Sequence, residues 1–242
     1  MITLAIDIGN TRIKAAVFNQ HYLVEEIIIS QTNDLEIFIN NHKPQHAVMC
    51  AVGQGADEVA KFITQQNMPL LRVTYQTKFP FAIQYQTPET LGMDRLAGVA
   101  AAQGLFANNN CLVIDAGTCI TYDFISADAQ YKGGAIAPGL QMRLQAMHHF
   151  THKLPQPALV WPDDFEGKST NQSLLSGVCF GVADEINGKI TRYTQHYGHL
   201  QVLLCGGDAV MLAKHIKNNI FAAPSLVLMG LNQILLFNVN KG

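Results

Sequence analysis

At 242 residues the chain can bury one large core or two modest ones. Apolar residues make up 48%, charged residues 14%, and the formal net charge is −2, which leaves no electrostatic footprint for nucleic acid or anionic lipid. Five scattered cysteines without a C-x-x-C pair, no basic leader at Met1 and no run of about 18 apolar residues argue against a disulfide scaffold, a secreted chain and a membrane span, so the expected compartment is the cytoplasm.

In chain order, Ile2–Ile6, Ile13–Phe18 and His21–Ile29 read as three strands of an antiparallel meander. The apolar spacing then predicts helices over Asn33–Asn41 and Ala56–Gln66, with strands near His46–Cys50 and Leu70–Thr74. The order β-β-β-α-β-α-β calls for a mixed sheet with helices packed on it. An alanine-rich helix is expected to begin near Asp94, in G-M-D-R-L-A-G-V-A-A-A. Leu112–Thr118 and Tyr122–Ile125 read as strands, and Ser169 with Gln172 as the capping box of a long helix running toward Tyr197. Leu226–Phe237 reads as a terminal helix covering the core.

The two halves begin alike. L-A-I-D-I-G-N-T and L-V-I-D-A-G-T share strand, acid, spacer and glycine, and Asp7 and Asp115 lie 108 residues apart (115 − 7). Two such copies, each between strands, mean two related domains, expected at 1–109 and 110–242. Each domain opens with a hairpin whose tight turn carries an aspartate and a glycine.

In such a turn glycine lets the backbone approach a ligand, while Asn and Thr side chains donate to phosphate oxygens. An aspartate there repels phosphate unless a cation such as Mg²⁺ bridges the two, so the combination points to a metal–nucleotide complex. The plainer reading is that Asp7 and Asn10 shape the turn through Asx bonding. Neither G-x-x-x-x-G-K-[ST] nor G-x-G-x-x-G occurs, so phosphate handling falls to the hairpins. The nine histidines, including His148, His149 and His152, have no recognised metal spacing.

On these residues the chain resembles the acetate kinase, sugar kinase, heat-shock 70 and actin superfamily, and within it the type III pantothenate kinases. The resemblance runs nearly end to end through D-I-G-N-T-R-I-K (7–14), Y-Q-T-P-E-T-L-G-M-D-R (85–95), I-D-A-G-T (114–118), G-G-A-I-A-P-G-L (133–140), G-K-S-T (167–170) and C-G-G-D-A (205–209). The tyrosine followed by G-x-D-R separates the family from the superfamily. The resemblance implies an α/β fold of two related actin/ribonuclease H-like domains, each a mixed five-stranded-type sheet flanked by helices. It also implies ATP-dependent phosphorylation of pantothenate to 4'-phosphopantothenate, the first step toward coenzyme A, by a homodimer without nucleic-acid or membrane partners.

By the same resemblance Asp94 is the general base. Asp7, Ile8, Gly9, Asn10, Thr11, Arg12, Ile13 and Lys14 form the first phosphate-binding turn, and Thr118 contacts ATP from the second. Tyr85, Gly92, Met93, Arg95 and Thr170 join Asp94 in holding pantothenate, Mg²⁺ accompanies ATP, and Asp115 holds a monovalent cation, K⁺ or NH₄⁺, near the dimer interface.

Each role has a plainer counterpart. Asp94 either complements a helix dipole or accepts a proton from a substrate hydroxyl. Arg95 either makes a surface ion pair or forks onto the substrate carboxylate. Lys14 either offsets phosphate charge or points to solvent; Tyr85 is otherwise a core aromatic, and Thr170 otherwise only starts a helix. Two other functions remain: a ligand-sensing regulator that keeps the fold without turnover, since some relatives are described as accessory factors in transcription, and a kinase acting on a sugar or acetate. No basic face or helix-turn-helix supports the first, and the G-M-D-R segment and short length argue against the second.

Overall fold

The computed structural model describes residues 1–239. The first strand, β1 (Ile2–Ile8), pairs antiparallel with β2 (Ile13–Asn19), and β2 with β3 (Tyr22–Ile29). On its other side β1 pairs parallel with β4 (His46–Ala51), and β4 with β5 (Leu70–Arg72), giving the order β3-β2-β1-β4-β5. Parallel pairing needs crossovers, supplied by α1 (Thr32–His42) and α2 (Ala56–Gln65). A two-residue strand β6 (Ala82–Ile83) and a 3₁₀ turn at Pro88–Thr90 lead to α3 (Met93–Leu105).

The chain then forms β7 (Cys111–Ala116), β8 (Cys119–Ile125), β9 (Gln130–Pro138), α4 (Leu140–His149), α5 (Thr170–Tyr197), β10 (Gln201–Cys205), α6 (Ala209–Ala213), β11 (Phe221–Ala222) and α7 (Leu226–Val239). The second sheet has the order β11-β10-β7-β8-β9-β6. Four of its six strands, β7 to β10, are five to nine residues long, and the two-residue strands β6 and β11, too short to carry a periodic signal, lie at its edges. Among the described residues no helix is long and apolar enough to cross a membrane.

Contacts divide the chain into two compact units. Among the described residues, the first comprises 1–109, 125–133 and 225–239; the second comprises 110–124 and 134–224. The terminal helix α7 therefore belongs with β1 and α3, not with the elements that precede it.

Period two along the strands decides what each face of the first sheet meets. Leu4, Ile6 and Ile8 of β1, with Ala15, Val17, Ala47 and Met49 from its neighbours, pack against Leu35, Phe38 and Ile39 of α1 and Ala60 and Ile63 of α2. Thr3, Ala5 and Asp7 point the other way, where α7 lies on β1 and α3 on β4. There the buried Thr3 hydroxyl donates to Asn232 of α7 at 2.6 Å. The helices α3 and α7 cross closely because small residues line the crossing. A Cβ on Gly230 would stand 1.7 Å from the Ala97 carbonyl oxygen, and Ala97, Ala100 and Ala102 are fully buried.

In the second unit, Leu112, Ile114 and Ala116 of β7 and Tyr122 and Phe124 of β8 form a core with Leu174, Val178, Val182 and Ile186 along one stripe of α5.

Two local expectations change. Asp7 lies inside β1, opposite Lys14, rather than in the turn, because the ladder continues to Ile8 opposite Ile13; Asp115 lies inside β7 in the same way. The capping box of α5 is half formed. The Gln172 N–H donates to Ser169 Oγ at 3.3 Å, but Gln172 Oε1 accepts from the Lys168 N–H, one residue too early, and the backbone of Gln172 and Ser173 packs on Gly167.

Candidate active site

The β1–β2 turn is closed by the Gly9 N–H donating to the Arg12 carbonyl at 3.1 Å, which leaves Asn10, Thr11 and Arg12 exposed at its tip. Behind it, the Val52 and Gly53 N–H groups both donate to the Ile8 carbonyl at 3.0 Å, folding the β4–α2 loop against the turn. Gly53 is required there: a Cβ would meet the Gly9 carbonyl oxygen at 2.2 Å. Turn and loop enclose a cleft of about 850 Å³, lined by Gly9 to Ile13, Ile28 to Ser30 and Val52 to Gln54.

Asp7 stands at the root of this turn. Register places Lys14 directly across from it on β2 and Cys50 across from it on β4, so a base, an acid and a thiol share one row of the sheet. The Cys50 thiol donates to Asp7 Oδ1 at 3.4 Å. Burial pushes the Asp7 carboxyl up to about 6; the thiol hydrogen bond works against this, the Asp94 charge adds to it, and Lys14 lowers it. Burial, reinforced by the charges of Asp7 and Asp94, also holds the Cys50 thiol well above its usual range, so it stays protonated. The charge of Asp94 thus acts on both Asp7 and Cys50.

Asp94 occupies the first turn of α3, with Gly92 at the N-cap. Its Oδ1 accepts from the Arg95 N–H at 2.9 Å, curling the carboxylate back over Gly92. A Cβ on Gly92 would lie 2.4 Å from that oxygen, so glycine leaves the carboxylate its place. Met93 and Arg95 flank it and are partly buried. Tyr85 is 36% exposed, stacks on Tyr131 at 6.3 Å, and lies against Gly133, whose φ is +88°.

The second unit repeats the arrangement. Asp115 on β7 is in register with Cys205 on the parallel strand β10, as Asp7 is with Cys50. The Gly117 N–H donates to the Cys119 carbonyl at 3.0 Å, closing a turn with Thr118 exposed at its tip. Gly206, at φ +95°, packs on that turn, where a Cβ would meet the Ala116 carbonyl at 2.4 Å and Asp115 Oδ1 at 2.5 Å. Gly139 closes the other side, where a Cβ would lie 2.3 Å from the Gly117 carbonyl oxygen. Thr170 lies elsewhere in this unit, at the exposed start of α5, on the rim of an apolar cleft of about 800 Å³ between α4 and α5.

The sequence profile of the family described as type III pantothenate kinase matches residues 3–192. The chain belongs to the type III pantothenate kinase family. The type III pantothenate kinase of Flavobacterium johnsoniae is 39% identical over 242 residues, covering 98% of this chain and 99% of its own. That of Bacteroides fragilis (strain YCH46) is 41% identical over 239 residues, covering 98% of each. Among solved structures, a conserved Baf family protein from Campylobacter jejuni aligns with a TM-score of 0.63 at 24% identity, over 98% of this chain and 99% of that one. A ROK hexokinase from Thermus thermophilus aligns with a TM-score of 0.55 at 12% identity, over 99% and 100%. These two likenesses show a shared fold.

For a type III pantothenate kinase, the structure pairs Asp7 with Lys14 across the first hairpin, within the field of Asp94, and in the second unit sets Asp115 near the end of β7 and Thr118 in the turn that follows. Sequence reasoning missed Cys50, Gly53, Gly139 and Gly206, which brace these turns. The signal for Gly53 and Gly206 was present: each follows an apolar strand that carries a cysteine at or next to its end, in C-A-V-G and C-G-G-D. Among the described residues no cluster of three or more His, Cys, Asp or Glu side chains could hold a metal, so a divalent cation at Asp7 would draw its other ligands from nucleotide phosphates and water. A carboxylate pushed up by burial and by a second carboxylate is one that a nearby cation restores to its charged form.

Proposed function

We propose that this kinase transfers the γ-phosphoryl group of ATP to the primary hydroxyl of pantothenate, giving 4'-phosphopantothenate on the way to coenzyme A. The reading rests on family membership together with one observation, the Asp94 carboxylate fixed over Gly92 at the start of α3, its charge felt by Asp7 at the root of the glycine turn. Asp94, fixed by the Arg95 N–H over Gly92, takes the hydroxyl proton as the substrate oxygen bonds to phosphorus and the bond to the bridging oxygen of ADP breaks.

The exposed turn from Gly9 to Arg12, with Ile8, Ile13 and Lys14 on its flanking strands, receives the phosphates, and Thr118 contacts the nucleotide. Asp7 would hold Mg²⁺, which when bound neutralises charge on the phosphates. Gly92, Met93, Arg95, Tyr85 and Thr170 hold pantothenate, with the Arg95 guanidinium suited to its carboxylate. Asp115, packed against Gly206 and Gly117, holds a monovalent cation, K⁺ or NH₄⁺.

A cytoplasmic homodimer completes the reading. It is supported by the five free cysteines and by the apolar α4–α5 cleft beside Phe150, which is 82% exposed. Sedimentation that returned only monomer would remove the dimer.

The test of function is ADP release from ATP and Mg²⁺ with and without pantothenate, in Na⁺ and then K⁺ or NH₄⁺ buffer. Pantothenate-dependent turnover that needs the larger cation is expected. Asp94→Asn is expected to lose about 10²- to 10⁴-fold in kcat, the usual contribution of a general base. Turnover unaffected by Asp94→Asn would sink its role, and turnover with a sugar but not pantothenate would sink the substrate.

A further inference from the structure

The strand β3 carries two adjacent acids that face opposite ways. Glu25 points toward α1 and takes His42 Nε2 at 2.9 Å, as a surface acid on an edge strand ordinarily does. Glu26 points to the other face, the one that bears Asp7, and nothing in the transfer chemistry uses it. It stands opposite Ala16, two residues along β2 from Lys14, so the two side chains lie diagonally on one face and meet with Lys14 Nζ 3.7 Å from Glu26 Oε1. The second carboxylate oxygen, Oε2, accepts a hydrogen bond from the Ser225 hydroxyl. Ser225 immediately precedes α7, and its carbonyl accepts from the Met229 N–H at 2.9 Å. A chain of polar contacts thus runs from Lys14, two residues past Arg12 of the phosphate turn, through Glu26 to the start of a helix packed on β1.

We infer that Glu26 is a positioning residue of the nucleotide site: it anchors Lys14 beside the turn, and Ser225 anchors Glu26. A lysine on a strand has a long, flexible stem and loses rotamer entropy when a phosphate orders it. Held between Asp7 across the hairpin and Glu26 on the diagonal, Lys14 has part of that ordering done before ligand arrives. The side chains of Lys14 and Glu26 are 31% and 23% exposed, so water screens the pair and its effect is modest. Ser225 matters because a carboxylate pinned on one oxygen presents the other in a fixed direction. The opposite behaviour is also physically defined: if Glu26 competed with phosphate for the ammonium, removing its charge would tighten nucleotide binding.

The inference rests on the reading that this turn binds ATP phosphates, and direct titration of the full-length wild type with Mg²⁺–ATP by calorimetry tests that reading alone. Wild type that binds no ATP would overturn both. With binding established, Glu26→Gln, which keeps the acceptor for Ser225 and removes the charge, is expected to weaken ATP binding about threefold to fivefold, the range of a partly exposed ion pair. The KM for pantothenate and the melting temperature stay unchanged. The double variant Lys14→Met/Glu26→Gln binds no more weakly than Lys14→Met, because Glu26 acts through the lysine. Ser225→Ala, which deletes one hydrogen bond and leaves both charges, shifts affinity in the same direction by about twofold. Unchanged or tighter ATP binding in Glu26→Gln, or losses that add in the double variant, would overturn the anchoring role.

Discussion

Substitution of Gly53 by alanine probes the brace of the phosphate turn from outside the turn itself. The new methyl would stand 2.2 Å from the Gly9 carbonyl oxygen and 2.9 Å from its carbon, both backbone atoms of a closed turn. Ordinary contact begins near 3.4 Å, so the loop and the turn must separate by roughly 1 Å, against the two hydrogen bonds that Val52 and Gly53 donate to Ile8. Overpacking of this kind costs about 1–3 kcal/mol. For a protein of this length it lowers Tm by about 2–4 °C per kcal/mol. The functional loss should be larger, since a displacement of about 1 Å in a positioning element costs about 10²-fold. The assay is thermal unfolding beside kcat/KM for ATP, with Gly181→Ala as the control. Gly181 is exposed on α5 with nothing within 4 Å of the place an added methyl would take, so alanine there should be neutral or mildly stabilising. A Gly53→Ala protein that retained wild-type kcat/KM would refute the claim that this contact sets the turn.

Gly92→Ala pushes the Asp94 carboxylate, a movable group 2.4 Å from the added carbon, rather than backbone. It should lower kcat by about tenfold or more while leaving Tm nearly unchanged, and equal losses in both would mean the site had collapsed instead. Asp7 gives a pH dependence. Its carboxyl titrates near 6 in the fold against 3.8 in the unfolded chain, so the native state binds the proton more tightly between those values. Its contribution to stability is full below about pH 4 and is lost as pH rises through about 6, amounting to at most about 3 kcal/mol. Metal-free Asp7→Asn should therefore melt above wild type at pH 8 and little differently at pH 4, while losing turnover. A melting difference that does not grow with pH would contradict the burial of that charge.

Much of the first unit could be read from the chain because its pattern is local. The meander β1–β3 and the helices α1 and α2 follow from period two and period 3.6, with ends shifted by a few residues. The long-range features were hidden. Cys50 reaches Asp7 only through parallel register across 43 residues, and nothing in C-A-V-G says which strand it will join. Lys14 could equally have faced solvent; its orientation is decided by Glu26 and by a serine 199 residues from that acid. The place of α7 was hidden for a related reason. Gly230 and the α3 alanines look like ordinary helix residues until the two helices cross, and only that crossing shows that the last helix packs with the first strand.

Cys50 is 2% exposed, and it is the lone cysteine of the first unit, since the other four lie at 111, 119, 179 and 205. Protonated and shielded beside Asp7, it is inert to alkylating reagents until β1 and β4 part. The rate at which it becomes labelled under native conditions is then the opening rate, or the opening equilibrium, of the sheet that carries the phosphate turn. Ligand that closes on the turn should slow that labelling, so the molecule carries its own reporter of how often the nucleotide site comes apart.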